Sequence, residues 1–244
     1  ISGIPAGATL SAGTVNGDGS VTLTAAQLDG LTITPPDDSN VDFDLTVAAT
    51  STDGTDTATT TATLPVSVTG VADDPTVTAG DVSGDEDTAI ALNLSAALND
   101  VDGSETLAVT LTGLPAGATL SAGTVNGDGS VTLTAAQLDG LTVTPPDDFS
   151  GDMTLTLTAT STEDDGDTAV VSEDFTVSVT GVADAPTLDV TAASGDEDTA
   201  IPLDITAALT DDSEVLSVTI SGIPAGATLS AGTVNGDGSV TLTA

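Results

Sequence analysis

Asn99 to Leu107 reads NDVDGSETL, placing Asp100, Asp102 and Glu105 within six residues. Carboxylates at D-x-D spacing, a glycine for the bend and a glutamate able to bind through both oxygens form a hard oxygen cradle, which suits Ca²⁺. Mg²⁺ demands stricter octahedral geometry, and Zn²⁺ usually takes His or Cys. No side chain of opposite sign answers these acids. The chain holds 38 Asp and Glu, no Lys, Arg or His, and a formal net charge of −38 over 244 residues. Two carboxylates ~4 Å apart repel by about 4 kcal/mol at an effective dielectric of ~20, whereas a whole domain is stable by roughly 5–15 kcal/mol. Acids gathered in one place must splay into water or hold a cation.

Other acids recur at fixed places. GDEDT (Gly84–Thr88) supplies Asp85, Glu86 and Asp87, and its second copy supplies Asp196, Glu197 and Asp198. PPDDFSGD (Pro145–Asp152) supplies Asp147 and Asp148. The joints VTGVADDPTV (Val68–Val77) and VTGVADAPTL (Val179–Leu188) carry Asp73, Asp74 and Asp184 close to a proline. The later counterpart of the opening stretch, TDDSEVL (Thr210–Leu216), has lost two residues and the glycine but keeps Asp211, Asp212 and Glu214. Ions there are expected to be fewer or differently held. All are candidate Ca²⁺ ligands, and each has a plainer alternative. Asp before Pro forms turns, and acids in turns oppose edge-to-edge pairing. NGDGS (Asn126–Ser130) is accounted for by a tight hairpin, and its glycines are not where an EF-hand loop needs one.

The composition excludes several partners. Without cations the chain cannot displace counterions from phosphate, so nucleic acid is not a partner. An anionic membrane surface is excluded for the same reason. No stretch approaches the roughly 20 apolar residues of a membrane span, so direct insertion is not expected. Cysteine is absent, which removes disulfides and thiol chemistry. Acid-rich chains are often disordered, but 39% of this one is hydrophobic, mostly Val, Leu, Ile and Ala in strand patterns, so a fold is expected. Phe43, Phe149 and Phe175 are the only aromatics, so the core must be aliphatic and thin. Bound metal is a usual supplement to such a core.

Internal repetition sets the organisation. PAGATLSAGTVNGDGSVTLTAAQLDGLT occurs at Pro5–Thr32 and again, letter for letter, at Pro115–Thr142, and a third copy starts at Pro224. The offsets of 110 and 109 residues match one ordinary domain. Phased on the joints, the chain reads as a repeat at 1–71 lacking its beginning, a whole repeat at 72–182, and a repeat at 183–244 lacking its end. Both ends read as cuts through something longer. Strand exchange between chains into a fibre is a further expectation from such near-identical units.

The elements that must position the acids are strands. MTLTLTAT (Met153–Thr160), FTVSVTG (Phe175–Gly181) and VTLTA (Val131–Ala135) alternate apolar residues with Thr or Ser. AAQLDG (Ala135–Gly140) offers at most one helical turn. About seven short strands in ~110 residues, with turns every 8–12, predict an all-β, immunoglobulin-like sandwich. The expected strands of the whole repeat lie near Thr76–Thr78, Ala89–Leu94, Thr106–Thr112, Ala118–Val125, Val131–Thr134 with a continuation at Leu141–Thr144, Met153–Ser161 and Ala169–Thr180. If they alternate in direction, GDEDT and PPDDFSGD fall at one end, and NDVDGSE and EDDGD (Glu163–Asp167) at the other. Where repeats abut, one acid set then faces the next across the joint aspartate.

VADAP, GDEDTAI, D-x-DGSE-x-L, GLPAGATL, LDGLTVTPPDDFSG and TLTATSTE…GDTA together resemble the extender repeats of large bacterial RTX-type adhesins, which are tandem cadherin-like or VCBS-type immunoglobulin-like domains. The likeness spans essentially the whole chain. It implies an elongated rod that is secreted and held at the cell surface, rigidified by Ca²⁺ between neighbouring repeats, with an adhesive tip elsewhere serving adhesion and biofilm formation. By its likeness to cadherin joints, Glu86, Asp184 and Asp211 would serve the second junction, and Asp73, Asp100 and Asp102 the first. The GGxGxD nonapeptides of RTX proteins do not occur in this sequence. A carbohydrate- or protein-binding module is the alternative, but its usual anchors, Trp, Tyr and Arg, are absent. A self-assembling filament or surface layer shares the same fold and metal. Enzymatic activity is not expected: Asp147 and Asp148 have no His, Cys, Lys or aromatic platform around them, and acids at domain ends have no pocket.

Overall fold

A computed structural model describes residues 1–243 of the chain. The described residues are all-β, apart from two three-residue 3₁₀ turns at Ala25–Gln27 and Ala135–Gln137. Among the described residues no helix is long and apolar enough to cross a membrane.

The central repeat packs two sheets face to face. One has six strands in the order Thr124–Val125, Val131–Leu133, Glu105–Thr112, Gly151–Glu163, Thr168–Thr180 and Val82–Asp85. The last pair is parallel and the others are antiparallel. The opposite layer joins Thr119–Leu120 to Thr142–Thr144 and that strand to Ile90–Ala91. Asn93–Ala97, continuing from Ile90–Ala91 past Leu92, pairs with Thr76–Gly80. Between the layers lie Leu92, Leu94, Val109, Leu111, Val143, Leu155, Leu157, Phe175 and Val177. Fully burying an aliphatic side chain contributes about 1.5–3 kcal/mol, so a core with one aromatic is viable.

Two expected strands divide differently. Ala118–Val125 splits between the layers, with Thr119–Leu120 in one sheet and Thr124–Val125 in the other. Val131–Leu133 and Thr142–Thr144 likewise belong to opposite sheets and are not one strand. The cause is the NGDGS hairpin, which returns Val131–Leu133 onto the Glu105–Thr112 strand. The 3₁₀ turn then carries the chain across the sandwich. An inserted hairpin adds two strands and leaves the direction of the later ones unchanged, so the two acid sets still lie at opposite ends.

Alternation fixes which residues enter the core, and it carries two acids inward. Along Gly151–Glu163 the buried positions are Met153, Leu155, Leu157, Ala159, Ser161 and Glu163. On the neighbouring strand Glu105, Val109 and Leu111 are buried and Leu107 is half-buried. Side chains two apart share a face, so Glu105 and Glu163 end the same inner surface that the leucines begin.

The flanking regions repeat these elements. Residues 1–71 carry the long hairpin Phe43–Asp53 with Asp56–Val66, and a tight hairpin Thr14–Val15 with Val21–Thr22. Residues 183–243 carry Thr187–Thr191 paired with Asp204–Ala208, and a sheet of Ser217–Ile220, Val240–Thr243 and Thr233–Val234.

Candidate metal centres

Among the described residues, carboxylates converge in two places. Near the first joint, ligand oxygens of Asp73, Asp100 and Glu105 lie within 4.8 Å of one another. Near the second, Glu86, Asp184 and Asp211 do so, and Asp87, Asp148 and Asp184 form an adjoining group that shares Asp184. Each group joins an acid of the linker to acids of the strand ends beside it.

Backbone amides hold these groups in shape. The Asp73 amide donates to Glu105 Oε1 at 2.7 Å, and the Asp184 amide donates to Glu214 Oε1 at 2.6 Å, the same contact at both joints. The Val182 amide donates to Glu86 Oε1 at 2.6 Å. Asp100 Oδ1 accepts from the Asp102 amide at 2.8 Å, and Asp211 Oδ1 from the Ser213 amide at 2.7 Å. The shortened Thr210–Leu216 loop therefore keeps the same turn despite its deletion.

Two oxygens are left over. Glu105 Oε2 and Glu86 Oε2 are buried with no hydrogen-bond partner. The residues are 6% and 2% exposed, respectively. A buried carboxylate oxygen without a donor is strongly unfavourable, and no basic side chain exists to supply one. Both glutamates belong to the converging groups, so the residues present fit a hard, oxygen-liganded cation.

The electrostatics match this arrangement. Loss of hydration raises the Asp148 carboxyl above its ordinary value, and the charges of Asp211, Asp87, Asp184 and Asp147 add to the rise. At the first joint Asp38 is raised in the same way, by loss of hydration and then by Asp100, Asp73, Asp37 and Asp102. Asp211 is lowered instead, mainly by the hydroxyl and then the amide of Ser213. Asp38, Asp87, Asp148 and Asp198 all adopt left-handed backbone, with φ of 57°, 57°, 55° and 63°. Asp tolerates that conformation better than most residues.

The remaining candidates lie outside the converging groups. Asp102 is exposed, and its Oδ1 accepts from the Ser104 amide at 2.8 Å. Asp74 and Asp85 are exposed; the Asp74 carbonyl accepts from Asn99 Nδ2. Asp147 and Asp212 are exposed, as are Asp196, Glu197 and Asp198 in the second copy of GDEDT. Glu214 offers the linker an acceptor, as described above. In NGDGS, Asp128 Oδ1 accepts from the amide and hydroxyl of Ser130, as a hairpin turn requires.

Two acids were not among the sequence candidates. Asp38 is the first-repeat counterpart of Asp148, and PPDDSN (Pro35–Asn40) against PPDDFS was the available signal. Glu163 is 4% exposed and stands opposite Glu105 across the strand pair.

The strand order, the parallel Val82–Asp85 edge and the acid-bearing ends define tandem immunoglobulin-like β-sandwich repeats. No family model matches the chain, and no curated protein matches it. Among solved structures it is similar to the protocadherin gamma B4 extracellular domain, at 17% identity and a TM-score of 0.34, over 97% of this chain and 36% of that one. It is also similar to protocadherin gamma B7 extracellular cadherin domains 1–4, at 15% identity and a TM-score of 0.31, over 97% of this chain and 57% of that one. A third likeness is to tandem Ig repeats of Dlar, at 11% identity and a TM-score of 0.23, over 69% and 81% of the two chains. The chain thus spans about a third of the first of these structures, and the sandwich assignment rests on the strand pairing of this chain.

Proposed function

We propose that this chain is a segment of the extender of a large, secreted bacterial surface adhesin, divided into repeats at 1–71, 72–182 and 183–244. Ca²⁺ bound where repeats meet stiffens the rod that carries an adhesive tip away from the cell. The observation that carries this reading is the pair of buried, donorless oxygens, Glu105 Oε2 and Glu86 Oε2, one at each joint among converging acids. At the first joint Asp73, Asp100 and Glu105 would hold the ion. At the second Glu86, Asp184 and Asp211 would do so, with Asp87 and Asp148 beside them. When bound, the ion supplies charge neutralisation and fixed oxygen geometry. The chain's own residues set the direction of the linker, through the amides of Asp73, Val182 and Asp184.

Small-angle scattering of the 244-residue protein tests this. Millimolar Ca²⁺ should give a longer maximum dimension and a stiffer profile than chelator. An equally extended and equally stiff molecule in both conditions would overturn the reading.

A further inference from the structure

Ser104 is buried between two acids. Its Oγ lies 3.4 Å from Asp100 Oδ2 and 3.2 Å from Glu163 Oε1. A serine hydroxyl carries one proton, so it donates to one of these carboxylates at a time. Glu163 Oε2 accepts from Asn40 Nδ2 at 3.3 Å, and Asn40 lies 123 positions upstream, in the turn after PPDD of the first repeat. The linker makes room for this contact, because a Cβ on Gly70 would fall 2.8 Å from both Cδ and Oε2 of Glu163. The same turn position in the central repeat is Ser150, which has no side-chain amide.

We propose that Ser104, Glu163 and Asn40 form a relay that couples ion binding at the first joint to the placement of the preceding repeat. The proposal rests on the reading that a cation binds Asp73, Asp100 and Glu105. Without the ion, Asp100 and Glu163 compete for one hydroxyl proton, and Glu163 is held by neutral donors alone. With the ion on Asp100, that carboxylate's demand is met and the Ser104 hydroxyl commits to Glu163. Glu163 then stands fixed beside Gly70 and presents Oε2 to Asn40. Asn40 and Ser104 are positioning residues, acting on the joint through Glu163. Linkage makes the coupling reciprocal, so loosening Asn40 must weaken the ion at the first joint.

The chain has no cysteine, so pairs of introduced cysteines carry spin labels without background. Exposed Thr59 and Ser172 span the first joint, and Ser172 and Thr206 span the second. In the parent protein, Ca²⁺ should narrow both distance distributions. In Asn40→Ala and Ser104→Ala, saturating Ca²⁺ should leave the first distribution as broad as in chelator while the second narrows normally. Ser104→Thr, which keeps the hydroxyl, should restore the narrow distribution. Calorimetry should show Ca²⁺ affinity at the first joint reduced at least about fivefold in Asn40→Ala, with the second joint unchanged. A narrow first-joint distribution in both alanine variants with Ca²⁺ bound overturns the relay and leaves the calcium reading standing. A parent protein that binds no Ca²⁺ overturns both.

Discussion

Glu105 and Glu163 stand directly opposite each other on adjacent antiparallel strands, both buried, in a chain without a basic side chain. Like charges in that position destabilise a sheet. Glu105→Gln removes one of them and keeps Oε1 as the acceptor for the Asp73 amide. In chelator this variant should be more stable than the parent by on the order of 1–3 kcal/mol at an effective dielectric of ~20, and so melt higher. In Ca²⁺ the order should reverse, because a ligand has been lost. Thermal melts in both conditions check the crossing. A variant that is less stable than the parent in chelator would mean that the two glutamates do not repel.

Asp148 separates backbone conformation from charge. At its φ of 55° alanine is strained and glycine is not. In chelator Asp148→Gly should be more stable than Asp148→Ala by about 1 kcal/mol, since both lose the charge and only alanine is strained. Both should weaken Ca²⁺ at the second joint, where Asp148 meets Asp87 and Asp184, and leave the first joint alone. Titration calorimetry distinguishes the two joints.

The hairpin aspartates give a pH dependence of known sign. The Ser130 hydroxyl, and then its amide, holds Asp128 below the ordinary 3.8. A folded value below the unfolded one contributes stability that is fully present above 3.8 and is lost as pH falls through the lowered value. Asp148 has the opposite sign. Its raised folded value makes the ion-free joint least stable at neutral pH and more stable as the carboxyl protonates on the way down towards 3.8. Asp128→Asn keeps an acceptor but has no such titration. The Ser130 amide resonance should therefore shift below pH 3.8 in the parent and stay still in the variant, apart from global unfolding.

How much of this was legible follows from what each feature depends on. Alternation is local, so the strands around Met153 and Phe175 could be read directly, as could the turns that carry the acids. Repetition supplied the joints. Register is not local. Nothing in TSTEDD says that Glu163 will face Glu105, or that Ser104 will sit between Glu163 and Asp100, until the strands pair. The division of Ala118–Val125 between sheets was hidden for a similar reason, since both fragments have strand propensity and only the tight hairpin decides where they go. Asp38 was visible in principle, as the repeat partner of Asp148.

Glu86 is the buried acid of GDEDT, between exposed Asp85 and Asp87. Its Oε1 takes the Val182 amide while Oε2 has no donor. Glu86→Gln keeps the linker bond and adds an N–H where the empty oxygen stood, so the second joint should need no ion to be satisfied there. In chelator the Ser172–Thr206 distance distribution should be narrower in this variant than in the parent. Ca²⁺ affinity at that joint should fall at least about tenfold. Glu197→Gln, at the same motif position but exposed, should change neither quantity. A Glu86→Gln variant that binds Ca²⁺ like the parent would remove Glu86 from the ligand set, leaving its role as the anchor of Val182 alone.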